Sequence, residues 1–308
     1  MPVKGAQCRL TIRPEVGMSA CIDFRTVAEE LLAAHPASNL YFLLDHAGMP
    51  GLHRQLLNSS VQWSSLFDGS KEANALQVAP FLVLAGSERQ LRMFRNLFKW
   101  IGEHGTYSSS VVMLTSPLDM ATLRHRLAAR LDIRLSENME AMLRFFDPRV
   151  LESIFNALPP HQASTFFSPA EFWRYVDRAG KLVNVATSFD FQETYTPPLV
   201  LNAQQEFSLL DACEVDQVLA LVRQNVPGLM ATLRLSDQST FVARAIAKAR
   251  QHGIDSTYKL SLYTAAGLLH GETAINGPQA EEFLNKIKQD DFDLSALPRM
   301  IDFEKEWS

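Results

Sequence analysis

The chain is poor in several residues on which whole classes of protein depend. Its three cysteines, Cys8, Cys21 and Cys213, are scattered through 308 residues. That is no disulfide framework, and a reducing compartment is expected. Cys8 and Cys21 have no histidine or further cysteine at zinc-finger spacing. Long apolar runs are missing: none approaches the roughly 20 residues that cross a bilayer. Lys4, Arg9 and Arg13 are followed by no apolar signal segment, so a cytoplasmic protein without a membrane partner is expected. Positive charge is in deficit, with 29 Lys and Arg against 34 Asp and Glu for a net charge of -5. A chain without a basic surplus has little with which to displace counterions from phosphate, which argues against nucleic acid. Phosphate-binding loops are absent as well. Gly69-Ser70-Lys71 lacks the leading glycine of a P-loop, and no dinucleotide fingerprint occurs. No Gly-x-Ser-x-Gly elbow presents a serine nucleophile. No cofactor is therefore expected.

What remains is an ordinary globular composition, 47% hydrophobic and 20% charged, in a length that suggests about two domains. Cys8 to Ile12 reads as an edge strand and Thr26 to His35 as a helix. Three short runs are apolar at almost every position: Leu40 to Leu44, Phe81 to Ala85 and Val111 to Leu114. Unbroken runs of this length fit strands covered on both faces. Helical patterns separate them. One carries Leu91, Phe94, Leu97, Phe98 and Ile101. A second opens at Ser116-Pro117-Leu118-Asp119, with Met120, Leu123, Leu127 and Leu131 as its apolar face and Arg124, Arg126 and Arg130 as its polar face. Leu182 to Ala186 adds a strand. The alternation predicts an α/β lobe over residues 1–200, a mixed or mostly parallel sheet flanked by helices. After Pro197-Pro198 the pattern turns purely helical, predicting an all-α lobe over 201–308. Its first helix is marked by Phe207, Leu210, Val218, Leu221 and Val222, and a second ends at Gly253. A third runs from Tyr258 to His270 and a fourth starts at Gly277-Pro278. An acidic, aromatic stretch from Phe292 to Trp307 closes the chain, expected to wrap back over the body.

The stretch from Met142 to Trp173 carries the densest local signals. Met142 to Phe146 is strand-like. Asp147 is placed as an N-cap, with Pro148 at the first helical position, where its missing N–H costs nothing. Pro159-Pro160 stops that helix. Ser168-Pro169-Ala170-Glu171 has the form of a capping box opening a further helix through Trp173.

The same stretch, Arg144-Phe145-Phe146-Asp147-Pro148-Arg149-Val150-Leu151 followed by Gln162, Phe166-Phe167-Ser168-Pro169 and Trp173, resembles the central signature of the type VI secretion effector adaptors. This is the Tap/TEC family, domain of unknown function 4123. Tyr41 to Asp45, Ser65 to Phe67, Ala79 to Val83 and Leu123 to His125 fit the family's pattern in its order. The resemblance spans roughly residues 39–175. It implies a non-enzymatic adaptor or chaperone that binds a secreted toxin effector and helps load it onto the spike (VgrG) protein of the secretion apparatus. A cleft between two lobes would suit an extended or helical peptide.

Five residues are candidates for partner contact. Arg144, Asp147 and Arg149 form the best polar constellation, able to dock a partner carboxylate through two-point guanidinium bonds. The competing and favoured reading is internal: Asp147 caps its helix while an arginine pairs with a nearby acid to pin the turn. Phe172 and Trp173 are candidates for lining a groove, although at helical spacing from Val176 such residues are more often core. No metal site is expected. His46 and His53 are seven apart beside Asp45, but Gly48, Pro50 and Gly51 break any shared helix. Were the chain an enzyme, Asp45-His46 and Asp147, each after a strand, would be the place to look. An immunity protein that blocks a toxin is a third reading.

Overall fold

The computed structural model describes residues 21–86, 91, 94–271, 275 and 281–288. The expected strand at Cys8, the helix start at Gly277-Pro278 and the aromatic stretch after Phe292 lie outside them.

Among the described residues nine strands and the helices between them follow in chain order. Helix α1 (Phe24–Ala34) begins at an Asp23 cap and leads into β1 (Asn39–Asp45). Next come α2 (Leu52–Leu57), β2 (Gln62–Ser65), β3 (Pro80–Leu84), α3 (Arg95–Gly105) and β4 (Val111–Ser116). Helix α4 (Met120–Ala128) is capped by Asp119, not by Ser116, so Pro117 lies ahead of the helix. Short strands β5 (Asp132–Arg134) and β6 (Glu140–Met142) precede α5 (Pro148–Ala157) and α6 (Pro160–Phe167). Strands β7 (Phe172–Val176), β8 (Leu182–Ala186) and β9 (Leu199–Val200) complete the α/β region. Only helices follow among the described residues: α7 (Ala203–Asn225), α8 (Pro227–Met230), α9 (Leu235–Gln251), α10 (Thr257–His270) and α11 (Glu281–Lys288).

The main sheet has the order β2-β3-β1-β4-β7-β8 and every neighbouring pair is antiparallel. This corrects the expectation of a mixed or mostly parallel sheet. The apolar runs do mark strands covered on both faces, since β1 from Leu40 onward and all of β4 are buried. Coverage, not strand direction, is what such runs report. Phe42 packs against Phe24 of α1 and Phe98 of α3, with ring centroids 5.9 and 5.5 Å apart. On the opposite face Trp173 packs against Phe167 of α6 and Phe145. A small second sheet, β6-β5-β9, contains the one parallel pairing among the described strands, β5 with β9.

The expected helix through Trp173 is strand β7. Ser168 is the C-cap of α6, its hydroxyl donating to the Thr165 carbonyl. Glu171 accepts from Ser38 instead of capping. The run Phe172-Trp173-Arg174-Tyr175-Val176 is aromatic and β-branched, the composition that suits a pleated sheet. The expected strand Met142–Phe146 likewise shrinks to β6, ending at Met142, while buried Phe145 and Phe146 occupy a turn.

Two arginines expected on a solvated face are buried. Arg130 is fully enclosed: it donates to the carbonyls of Arg126, Thr165 and Phe166, pairs with Glu193 at 3.1 Å and stacks over Tyr195. Arg126 donates to the carbonyls of Asp190 and Phe191. Together they strap the irregular segment after β8 onto α4 and α6.

One apolar core runs from Phe24 to Leu201 and a second from Val218 to Ile287, with no residue in common. Helix α7 reaches both. Its N-terminus has a capping box, Asn202 accepting from the Gln205 amide and Gln205 from the Asn202 amide. Leu209 packs on the first core, and Val218 and Val222 lie in the second. Phe207 and Leu210, expected as apolar marks of this helix, are instead 63% and 68% exposed. At the other end of the helical region Gly253, at φ +73, ends α9 in a backbone conformation that favours glycine.

Candidate partner-binding crevice

Helix α5 carries the signature residues, and its local chemistry sets their geometry. The Asp147 carboxylate accepts from the Arg149 amide at 2.9 Å, capping the helix, while Pro148 occupies the first turn. The Arg149 guanidinium folds back on Asp147 through two nitrogens, at 2.9 and 2.6 Å. Arg144 turns elsewhere and donates to Asp45 at 2.8 Å. Asp45 is almost fully buried; burial pushes its carboxyl above the ordinary range and the Arg144 charge opposes this. The three polar candidates thus form two separate internal pairs, the arrangement the internal reading of this constellation described.

Neither aromatic candidate joins them. Successive residues of a strand face opposite ways. Phe172, half-buried, lies beside the tilted ring of His35, the residue that follows α1. Trp173 points to the other face, is fully buried and donates its indole N–H to the Phe167 carbonyl at 3.1 Å. It has no surface to offer a partner.

Of the residues that tie the α/β region to the helical region, only Arg149 drew attention in the sequence. Asp177 accepts from the amides of Ala179 and Lys181 and so shapes the β7–β8 turn. Gly180 closes it at φ +76, and a Cβ there would lie 2.6 Å from the Tyr107 ring. The turn projects Arg178 towards α7. Arg178 grips Asp216 of α7 through two nitrogens, at 3.0 and 2.7 Å, and Glu152 of α5 at 2.7 Å. Arg149 approaches Asp216 from the other side at 3.8 Å. Tyr175 donates to Glu152, and burial, followed by the charge of Glu152, raises its phenol well above the ordinary range. Carboxylate and guanidinium groups therefore alternate across the junction, each holding the next.

Beside this chain of charges lies an open crevice of about 530 Å³. Helix α5 forms one wall, α7 a second and the first turns of α9 the third, with Arg178 at its edge. It contains none of the five predicted contact residues. A pointer was available in the sequence: α5, α7 and α9 each carry small residues four apart, Ser153 and Ala157, Ser208 and Ala212, Ser239 and Ala243, and all six line the crevice.

His46 and His53 are half-buried, with rings 6.3 Å apart, packed against Phe81. The His46 Nδ1 lies 2.7 Å from the Leu76 carbonyl. Among the described residues no group of three or more His, Cys, Asp and Glu is placed to hold a metal ion. Among them, too, no helix is long and apolar enough to cross a membrane.

Comparison with known proteins gives a match over part of the chain. Residues 40–165 match the model of a family described as domain of unknown function (DUF4123). This family is known as the type VI secretion effector adaptor (Tap/TEC) family. No curated protein and no solved structure matches the chain. The DUF4123 match begins in β1 and ends within α6. It contains the α5 wall of the crevice, whereas Arg178, α7 and α9 lie beyond it.

Proposed function

We propose that this chain is a non-enzymatic adaptor of the type VI secretion system. It binds a toxin effector in the cytoplasm, holds part of it in the crevice between an α/β lobe and a helical lobe divided near residue 200, and helps load it onto the spike protein. Support at the family level comes from the DUF4123 domain, since this family is associated with effector adaptors. The observation that carries the reading further is that the crevice is built jointly: α5 comes from the family domain, α7 and α9 from the helical region. A stable protein complex buries roughly 1,600 Å², more than a short segment in a crevice of this size supplies. Exposed Phe207 and Leu210 on α7 offer apolar area for the remainder.

Arg144, Asp147 and Arg149 act in this reading as the scaffold of α5, not as hands for a partner carboxylate. Co-expression with toxins encoded beside this chain tests the proposal. An adaptor co-purifies with one of them, raises its solubility and leaves it active. An immunity protein binds and silences it. Turnover of a small molecule, lost in Asp147→Asn with the fold intact, marks an enzyme.

A further inference from the structure

The charged groups around the crevice are already matched. Arg178 holds Glu152 and Asp216, so the two charged side chains among the described lining residues are already engaged. The hydroxyls of Ser153 and Ser208 are also used, each donating to a carbonyl one turn back in its own helix, Arg149 and Gln204. Three lining side chains are different. Among the described residues Asn156, Ser239 and Thr240 make no side-chain hydrogen bond, the first and last exposed to water and Ser239 mostly covered. Ser239 is only 8% exposed, yet its hydroxyl opens onto the crevice without donating back to its helix. Its oxygen reaches the crevice opening, so water serves it in the free chain and a partner's polar group can take that water's place. Amide and hydroxyl groups each offer both a donor and an acceptor and carry no charge. Around them Ala157, Ala212 and Ala243, one from each wall, keep the walls low enough for a main chain to come close.

On the adaptor reading above, we propose that the crevice recognises an extended, uncharged stretch of the effector through its main chain. A helix fits this chemistry poorly, since its N–H and C=O groups are consumed internally and it offers Asn156, Ser239 and Thr240 no main-chain partner. An extended strand presents a free donor and acceptor at each residue, spaced about 3.3 Å apart along the chain. The volume of about 530 Å³ lies within the roughly 300–1,000 Å³ of ligand sites that enclose a few residues' worth of atoms. Small side chains on the bound stretch are favoured, because the alanines leave no deep pockets.

The test uses the full chain and the toxin that co-purifies with it. Ala243→Leu fills the crevice from an exposed helix position, while Asn156→Ala and Ser239→Ala remove hydrogen-bonding groups without adding bulk. Circular dichroism melts confirm that each variant folds. Ala243→Leu is expected to weaken toxin binding at least tenfold and each alanine variant about threefold. A photo-cross-linking amino acid in place of Ala243 is expected to attach to an uncharged toxin stretch that gains amide protection on binding. Unchanged Kd in all three folded variants overturns the assignment of the crevice and leaves the adaptor reading standing. A cross-link to a helical or charged toxin segment overturns main-chain recognition. If wild-type chain binds no toxin, the adaptor reading fails and this inference fails with it.

Discussion

Arg178→Ala removes the guanidinium through which the β7–β8 turn grips α7, and its cost follows from the geometry. Three charge-assisted bonds are lost, two to Asp216 and one to Glu152, from side chains that are 21%, 14% and 39% exposed respectively. Breaking a fully buried pair costs about 3–5 kcal/mol, and an exposed one is worth about 0–1 kcal/mol. This site lies between those limits. Asp216 also keeps Arg149 at 3.8 Å, so the expected loss is about 2 kcal/mol. For a cooperative unit of about 150–250 residues each kcal/mol moves Tm by roughly 2–4 °C, giving a fall of about 4–8 °C. The informative assay is a double-mutant cycle with Asp216→Ala, read by urea unfolding. Paired side chains of this kind couple by about 0.5–3 kcal/mol, and about 1–2 is expected here. Additivity within about 0.3–0.5 kcal/mol would refute the claim that this ion pair joins the two regions.

Three further outcomes are expected. Arg144→Ala removes the charge that opposes burial at Asp45, so the Asp45 carboxyl, followed by carbon NMR, titrates at still higher pH; an unmoved midpoint contradicts the pairing. The sign for stability follows: a carboxyl whose folded pKa exceeds its unfolded value binds its extra proton in the native state, so stability falls as pH rises between the two, and more so in Arg144→Ala than in the wild type. Arg130→Ala removes the nearer of the two buried cations beside Glu193, leaving Arg126 at 3.5 Å, and takes one donor from each of four acceptors, including the Phe166 carbonyl. It is expected to cost about 3–5 kcal/mol and to expose the segment after β8 to proteolysis; an unchanged melt contradicts that. Trp173→Ala is expected to destabilise by about 3–5 kcal/mol, and any folded fraction binds partner with wild-type affinity; a selective loss of affinity in folded protein returns Trp173 to the contact surface.

Local chemistry was the legible part of this chain. The Asp147 cap, Pro148 and the Gly253 stop are decided within a few residues, and the sequence announces them. Strand existence was legible as well, since continuous apolar runs need cover on both faces whatever the strand direction. Direction itself depends on how the chain crosses between strands, which such runs do not encode. Trp173 was misread because Ser168 and Glu171 satisfy the spacing of a capping box, while their side chains are taken by Thr165 and Ser38. Arg126 and Arg130 were misplaced because a helical wheel knows nothing of the segment that later folds over it; Glu193 and Tyr195 turn that face inward. The crevice escaped for the same reason. Its walls come from stretches nearly 90 residues apart, and its junction depends on Arg178, an ordinary turn residue until α7 places Asp216 beside it.

The most direct measurement is isothermal titration of the full chain with the toxin it co-purifies with, followed by assay of the toxin in the complex and after release. The account predicts a stoichiometric complex with Kd below about 1 µM, equivalent to roughly 8 kcal/mol, and toxin activity that survives. No binding to any co-expressed toxin, or binding that abolishes the toxin's activity, would contradict it.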